Sequence, residues 1–214
     1  MDLHGYACME FIKTPYQELP GERLALWYDS NEVLRAMMAS HIKHKEKSDG
    51  RSYTCAVIKV SASRFQKYGS CLDPRDCGDE SGELIVRQLE LAGHRALYRS
   101  VGESPAEIAR ALATMLEEAD AAVVCGGTGL TPADVTIEAV APMLEKTIPG
   151  FGELFRLKSY EEVGTASVLS RAMAGVAGGK AIFCIPGSPN AARLAVSAII
   201  VPELGHIISH ARGQ

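Results

Sequence analysis

The chain has 214 residues, 47% of them hydrophobic and 22% charged, with a formal net charge of −4. That is enough apolar material for one sizeable core, so one domain with an appendage is expected. Nucleic acid is disfavoured as a partner, because the densest basic run, Lys43-His44-Lys45 with Lys47, is short and broken by Glu46.

No apolar stretch reads as approaching the roughly 20 residues that span a bilayer. Met1-Asp2-Leu3-His4-Gly5 also lacks the charged-then-apolar form of a signal peptide. A cytoplasmic protein with no membrane partner is therefore expected.

Residues 1–50 read as a partly helical N-terminal extension. Asp29-Ser30 can cap a helix whose Val33, Leu34, Met37, Met38, His41 and Ile42 form one amphipathic stripe. His41 and His44 are three apart but lack a third metal ligand. Gly50 marks the linker, and residues 51–214 read as the main domain.

From residue 54 short apolar runs alternate with helical periodicity. "TCAVIKVSA" (54–62) is a β-branched run ending in small polar residues, and "SGELIVRQLELAG" (81–93) is a helix stopped by Gly93. "RALYRSV" (95–101) is a strand, after which Ser104-Pro105-Ala106-Glu107 supplies an N-cap, a first-turn proline and a capping-box glutamate. That helix puts Ile108, Leu112, Met115, Leu116 and Ala119 on one face. "AAVVC" (121–125) and "AIFCIPG" (181–187) are further strands. The second leads through Ser188-Pro189 into a helix with Ala191, Leu194, Ala195, Ala198 and Ile199 on one face.

Six cysteines are present without a Cys-x-x-Cys pair. Cys55, Cys125 and Cys184 sit in or beside strand-like runs and read as small hydrophobes. Cys71 and Cys77 flank a polar loop closely enough to be weighed as a disulfide.

Strands that are apolar throughout and alternate with helices imply a parallel sheet covered on both faces, a three-layer α/β/α arrangement. Such sheets bind ligands outside the carboxyl ends of their strands. That edge should receive Ser61-Ala62-Ser63-Arg64, Val101-Gly102-Glu103, Gly126-Gly127-Thr128-Gly129 and Pro186-Gly187-Ser188. The Gly126–Gly129 loop is no Walker loop, since Leu130-Thr131-Pro132 follows with no lysine. Nor is it a dinucleotide fingerprint, because Pro132 holds the place of the third glycine. Two glycine loops converging with two acids, Glu103 and Asp134, still make a candidate anion site. Each acid has a plain alternative as a helix-end or capping residue.

Gly126-Gly127-Thr128-Gly129 through Asp134-Val135-Thr136, then Pro149-Gly150-Phe151-Gly152-Glu153, "SYEEVGTASVLSRAMAGVAGG" (159–179) and "PGSPNA" (186–191) together resemble the MoaB/MogA family of molybdenum cofactor biosynthesis. The resemblance covers roughly residues 52–212. It implies the molybdenum cofactor biosynthesis protein fold and a molybdopterin adenylyltransferase, with ATP and molybdopterin as substrates and Mg²⁺ assisting. It also implies a homotrimer or hexamer and other cofactor-biosynthesis proteins as partners.

By the same resemblance Asp134 and Glu103 are the catalytic acids, with Asp79 as a third Mg²⁺ ligand. Ser61, Arg64, Ser81, Gly82, Gly126, Gly127, Thr128, Gly129, Ser170, Arg171, Pro186, Gly187, Ser188 and Asn190 would contact substrate. The chain departs from the family at Glu103, where an aspartate is usual, and at Ala62, which replaces an aspartate. Those departures keep two rivals in view: a molybdopterin-binding protein without catalysis, and a nucleotide-processing enzyme on the same fold. Phe155 and Leu154 read as plain helix-packing residues.

Overall fold

The computed structural model describes residues 50–214. The expected helix over residues 33–42 and the pair His41 and His44 lie outside them. The chain divides between Lys47 and Ser48, close to the boundary read from the sequence.

One six-stranded sheet organises the described residues. In chain order its strands are β1 (Thr54–Val60), β2 (Arg95–Val101), β3 (Ala121–Cys125), β4 (Lys146–Thr147), β5 (Met173–Ala177) and β6 (Lys180–Ile185), arranged β2-β1-β3-β6-β5-β4. The first four positions are mutually parallel, with Val57 opposite both Tyr98 and Val123 and with Val123 opposite Phe183. β4 and β5 run antiparallel at one edge. The β4–β5 edge has no counterpart in the apolar pattern, because "MAGVA" lacks the β-branched run that marks a strand.

Alternation along each strand sends successive side chains to opposite faces. Cys55, Val57, Val123, Phe183 and Ile185 join one cluster, while Ala56, Ile58, Val60, Val124, Ile182 and Cys184 join the other. Over the first face lie α2 (Glu80–Leu91), α5 (Pro149–Val163), α6 (Pro189–Ala195) and α7 (Val201–Ala211). The second is covered by α3 (Pro105–Glu118) and the short α4 (Thr136–Val140). A seven-residue helix, α1 (Ala62–Tyr68), follows β1 directly. Fully buried anchors such as Ile85, Leu89, Ile108 and Leu112 each contribute roughly 1.5–3 kcal/mol by leaving water.

The capping chemistry is as the sequence specifies. Ser104 opens α3 with Pro105 in its first turn, and its side chain accepts from the Glu107 N–H. Ser188 does the same for α6 through the Ala191 N–H. Phe151 and Phe155 of α5 pack in the core, whereas Leu154 is 39% exposed and does not act as a packing residue.

One sequence expectation is corrected. The segment from Pro189 to Ala211 forms one continuous helical run of 23 residues with mean hydropathy 1.5, so one stretch is long and apolar enough to cross a bilayer. It was missed because Pro202 and scattered polar residues interrupt the apolar pattern. Its Ala192, Leu194, Ala195, Val196, Ile199, Ile200, Leu204 and Ile208 pack into the core of the sheet's first face. Near its middle, Val196–Ile200 adopts π-helical pairing just before Pro202. A proline cannot donate its backbone bond and crowds the carbonyl four residues earlier, and the wider turn relieves both.

Cys71 and Cys77, weighed as a disulfide from their spacing, are free thiols. Cys77 is buried and its sulfur lies 3.5 Å from the Tyr98 hydroxyl.

Candidate functional site

Between β1 and β3 the chain order reverses direction across the sheet, and a cavity of about 600 Å³ opens outside their carboxyl ends. Ser61, Arg64, Gly126, Gly127, Thr128, Gly129, Asp134, Ser170, Pro186, Gly187, Ser188 and Asn190 all line it. Twelve residues read from three separate strand ends and the distant Ser170 stretch thus share one space.

The glycine loop is folded against its neighbours by its carbonyls. Thr136 donates its hydroxyl to the Gly126 carbonyl at 2.7 Å and its N–H to the Gly127 carbonyl at 2.9 Å. Gly126 has φ +103° and Gly127 has φ +62°, conformations open to glycine. A Cβ at Gly126 would lie 2.4 Å from the Val60 carbonyl oxygen. Among the described residues no protein acceptor takes the N–H groups of Gly127 and Thr128. With the carbonyls engaged and these donors spare, the loop is suited to an anion.

Asp134 turns its carboxylate back onto this loop. One oxygen accepts from the Thr131 N–H at 3.0 Å and from the Thr131 hydroxyl at 2.6 Å. The Thr131 hydroxyl bond chiefly holds the Asp134 carboxyl below the usual carboxylate range, aided by the N–H groups of Thr131 and Gly129. Asp134 is therefore a loop brace on the cavity wall and not a helix cap, since α4 opens at Val135 with no side-chain cap bond.

Arg171 occupies a different place from the one expected. It stands outside the lining and binds the loop from behind, donating Nε to the Thr128 carbonyl and Nη2 to the Asp134 carbonyl, each at 3.1 Å. Its remaining nitrogen pairs with Glu138, whose carboxyl is held low by that guanidinium. The residue braces the loop's shape through these bonds.

Three further residues stand behind the pocket wall. Asp79 is 1% exposed, with one oxygen 3.5 Å from the Lys59 ammonium and the other accepting from the Tyr98 hydroxyl at 2.8 Å. Ser81 donates to the Gly187 carbonyl at 2.8 Å. Gly82 permits close packing, since a Cβ there would lie 2.2 Å from Asp79 Oδ2. Arg64, in contrast, lines the pocket and also donates to the Cys77 and Gly78 carbonyls at 2.7 and 2.6 Å.

Glu103 does not reach the cavity. It follows β2, the edge strand, which β1 separates from β3, and Phe65 of α1 packs over the neighbouring Gly102. Of the acids Asp134, Glu103 and Asp79, only Asp134 lines the cavity. Among the described residues no group of three His, Cys, Asp or Glu side chains is placed to hold a metal. Asp134, Glu103 and Asp79 do not form the expected three-carboxylate Mg²⁺ site, since of the three only Asp134 lines the cavity and Asp79 is already paired with Lys59 and Tyr98.

Sequence reading missed Lys59, Phe155, Ser159, Glu162 and Leu194, which also line the cavity. Lys59 left a signal, as the one charged residue inside the apolar run of β1. Ser159 and Glu162 on α5 left a coarser signal, since they fall within the "SYEEVGTASVLSRAMAGVAGG" stretch (159–179), but which side chains of that stretch face the cavity is set by the tertiary fold.

A mostly parallel open sheet with a glycine-walled crevice at its reversal point defines an α/β ligand-binding protein of the switch-point kind. Residues 56–206 match the family described as "Probable molybdopterin binding domain". The chain belongs to this family, and within it to the MoaB/MogA proteins of molybdenum cofactor biosynthesis.

It is 42% identical over 162 residues to molybdenum cofactor biosynthesis protein B of Bacillus subtilis, covering 74% of this chain and 89% of the relative. The protein of the same name from Staphylococcus aureus strain COL is 42% identical over 172 residues, covering 78% and 96%. Among solved structures, the tungsten cofactor synthesizing protein MoaB from Pyrococcus furiosus superposes with a TM-score of 0.65 at 39% identity, covering 76% of this chain and 98% of that one.

Proposed function

We propose that this chain is a molybdopterin adenylyltransferase, joining AMP from ATP to the terminal phosphate of molybdopterin. In that reaction a pterin phosphate oxygen forms a bond to the α-phosphorus of ATP, and the bond to the β-phosphate oxygen breaks, releasing pyrophosphate. The observation that carries the reading is the anion-ready loop Gly126–Gly129, with its carbonyls tied back, beside Asp134 in a cavity of about 600 Å³. Aligning two polyanions is the main difficulty of such chemistry, and fixed N–H donors and cations supply it. Asp134 serves by ordering the loop through Thr131 and by placing one ionised carboxylate at the cavity wall.

Magnesium is proposed as an assisting ion that arrives with the nucleotide, and no step is assigned to a site built by the protein. A homotrimer or hexamer, working in the cytoplasm alongside other cofactor-biosynthesis proteins, accompanies the reading. Support for self-association comes from Leu157, Tyr160 and Val163 on α5 with Val168 and Leu169 just beyond it, all more than half exposed. An apolar group of that kind favours a protein partner.

The test is incubation of the purified protein with molybdopterin, ATP and Mg²⁺, followed by mass spectrometry. Adenylylated pterin is expected from the wild type and a reduction by orders of magnitude from a folded Asp134→Asn variant. Bound but unmodified pterin with no AMP adduct would favour the non-catalytic binding protein. An Asp134→Asn variant of wild-type rate would remove that carboxylate from the mechanism.

A further inference from the structure

One charged group at the cavity takes no part in that scheme. Lys59 continues the face of β1 occupied by Cys55 and Val57, so its side chain runs beneath the glycine loops, and it is 5% exposed. Its ammonium has one partner at full hydrogen-bond length, the Gly187 carbonyl at 3.1 Å. Asp79 Oδ1 is 3.5 Å away and accepts no hydrogen bond from a described residue. The Cys125 sulfur, a weak acceptor, lies at 3.9 Å.

An ammonium carries three N–H donors, and a buried charge short of acceptors is costly. The shortage lies at the cavity, for Lys59 borders it together with Val60, Gly126, Gly127 and Gly187. A second cation on the same wall shows a similar deficit: Arg64 Nε is buried with no acceptor. A loosely held ammonium and an unsatisfied guanidinium nitrogen beside spare loop N–H donors match the charge and the acceptor-only oxygens of a phosphate.

We propose that Lys59 is a phosphate-binding residue of this cavity, its ammonium exchanging the loose contact with Asp79 for an oxygen of the ligand's phosphate. Asp79 is its positioning partner, held in turn by the Tyr98 hydroxyl. The assignment rests on the phosphate-ligand reading above, and the phosphate can come from the nucleotide or from the pterin. It gives the cavity a built-in cation where the expected carboxylates fail to assemble a metal site.

Calorimetric titrations with inorganic pyrophosphate, ATP and molybdopterin, each alone and without Mg²⁺, test it. The Lys59→Met/Asp79→Asn double variant removes both charges together and should bind at least one of these ligands tenfold or more weakly than the wild type. A loss for ATP and pyrophosphate identifies the nucleotide's phosphates, and a loss for molybdopterin alone identifies the pterin's. Asp79→Asn alone should bind the same ligand several-fold tighter, since the ammonium no longer has an anionic competitor; a purely structural ion pair would not have that effect.

A folded double variant with wild-type affinity for all three overturns the proposal. If the double variant fails to fold, the ¹⁵N resonance of the Lys59 ammonium in the wild type decides: it shifts on saturation with the ligand that binds, or the proposal is wrong. Lys59-dependent binding in a protein that makes no adenylylated pterin would overturn the transferase reading and leave the phosphate subsite standing.

Discussion

Replacing Gly126 by alanine imposes two separate costs, and other glycines of the same chain isolate each. Gly150 has an ordinary φ and nothing within 4 Å of a Cβ; Gly164 has φ +62° and likewise nothing within 4 Å. Gly126 combines φ +103° with a Cβ position 2.4 Å from the Val60 carbonyl oxygen and 3.9 Å from Gly187 Cα, both backbone atoms.

Gly150→Ala, in the first turn of α5, should leave stability unchanged or raise it by up to about 1 kcal/mol. Gly164→Ala adds only backbone strain, about 1–3 kcal/mol, because φ +62° with ψ −144° is a conformation essentially restricted to glycine. Gly126→Ala adds to such strain an overlap that must open from 2.4 Å to at least 3.0 Å by moving β1 or the loop. Overpacking of that kind costs about 1–3 kcal/mol, for a total of about 2–6 kcal/mol.

Urea unfolding at one fixed protein concentration reads all three from the midpoint at constant slope. The Gly126 variant should also bind ATP more weakly, because the displaced loop carries the spare N–H groups. A Gly126→Ala protein no less stable than Gly164→Ala, with unchanged ATP affinity, would refute the tightly packed loop.

Arg171→Lys should lower stability by about 1–2 kcal/mol and weaken ligand binding roughly tenfold, because an ammonium cannot hold the Thr128 and Asp134 carbonyls together as the guanidinium does; unfolding and ATP titration check it, and an unchanged affinity would remove Arg171 as the loop's support. At pH 8 iodoacetamide should label half-exposed Cys71 well before Cys55, Cys125 or Cys184, as followed by peptide mass spectrometry. Burial pushes the Cys125 thiol up to about 11 despite nearby Lys59, and the Cys55 and Cys184 thiols up to about 12.

Asp120 joins the start of β1 to the C-terminal helix, accepting from the Thr54 N–H at 2.8 Å and pairing with Arg212 at 2.6 Å. Burial alone would raise its carboxyl, but the Arg212 and Thr54 bonds outweigh it and leave it below the ordinary aspartate value of 3.8. Its stabilisation is therefore present above pH 3.8 and lost as pH falls through the lower folded value. Asp120→Asn should cost about 1 kcal/mol at pH 7, with the difference from wild type shrinking below pH 3.8; a constant difference across that range would refute it.

The strands were legible because each parallel strand is buried on both faces and so is apolar throughout, as in "AAVVC" and "AIFCI". The caps at Ser104 and Ser188 were legible because capping is local chemistry between residues three apart. The β4–β5 edge was not, for its strands are short and rich in small residues whose pairing depends on distant partners. The Pro189–Ala211 run was read only in part, because a proline inside a helix is tolerated only where packing and a π-turn accommodate it.

What the sequence determined by itself is the chemistry brought to the edge of the sheet: the glycines, Ser61, Asp134 and Ser188 lie at the ends of apolar runs, and strand direction carries them to one side. Only the tertiary structure decided which of them face the cavity. The fold puts Asp134 on the cavity wall and leaves Glu103, at the end of the edge strand β2, out of its lining. Packing of α2 and α6 on one face turns Asp79 inward onto Lys59 and Tyr98. Arg171 lies far from the glycine loop in the chain but folds against its rear, where its donors meet carbonyls. Residue type and spacing fix which groups can act, but the direction of a side chain depends on its neighbours from other elements, and those neighbours are set by the packed fold.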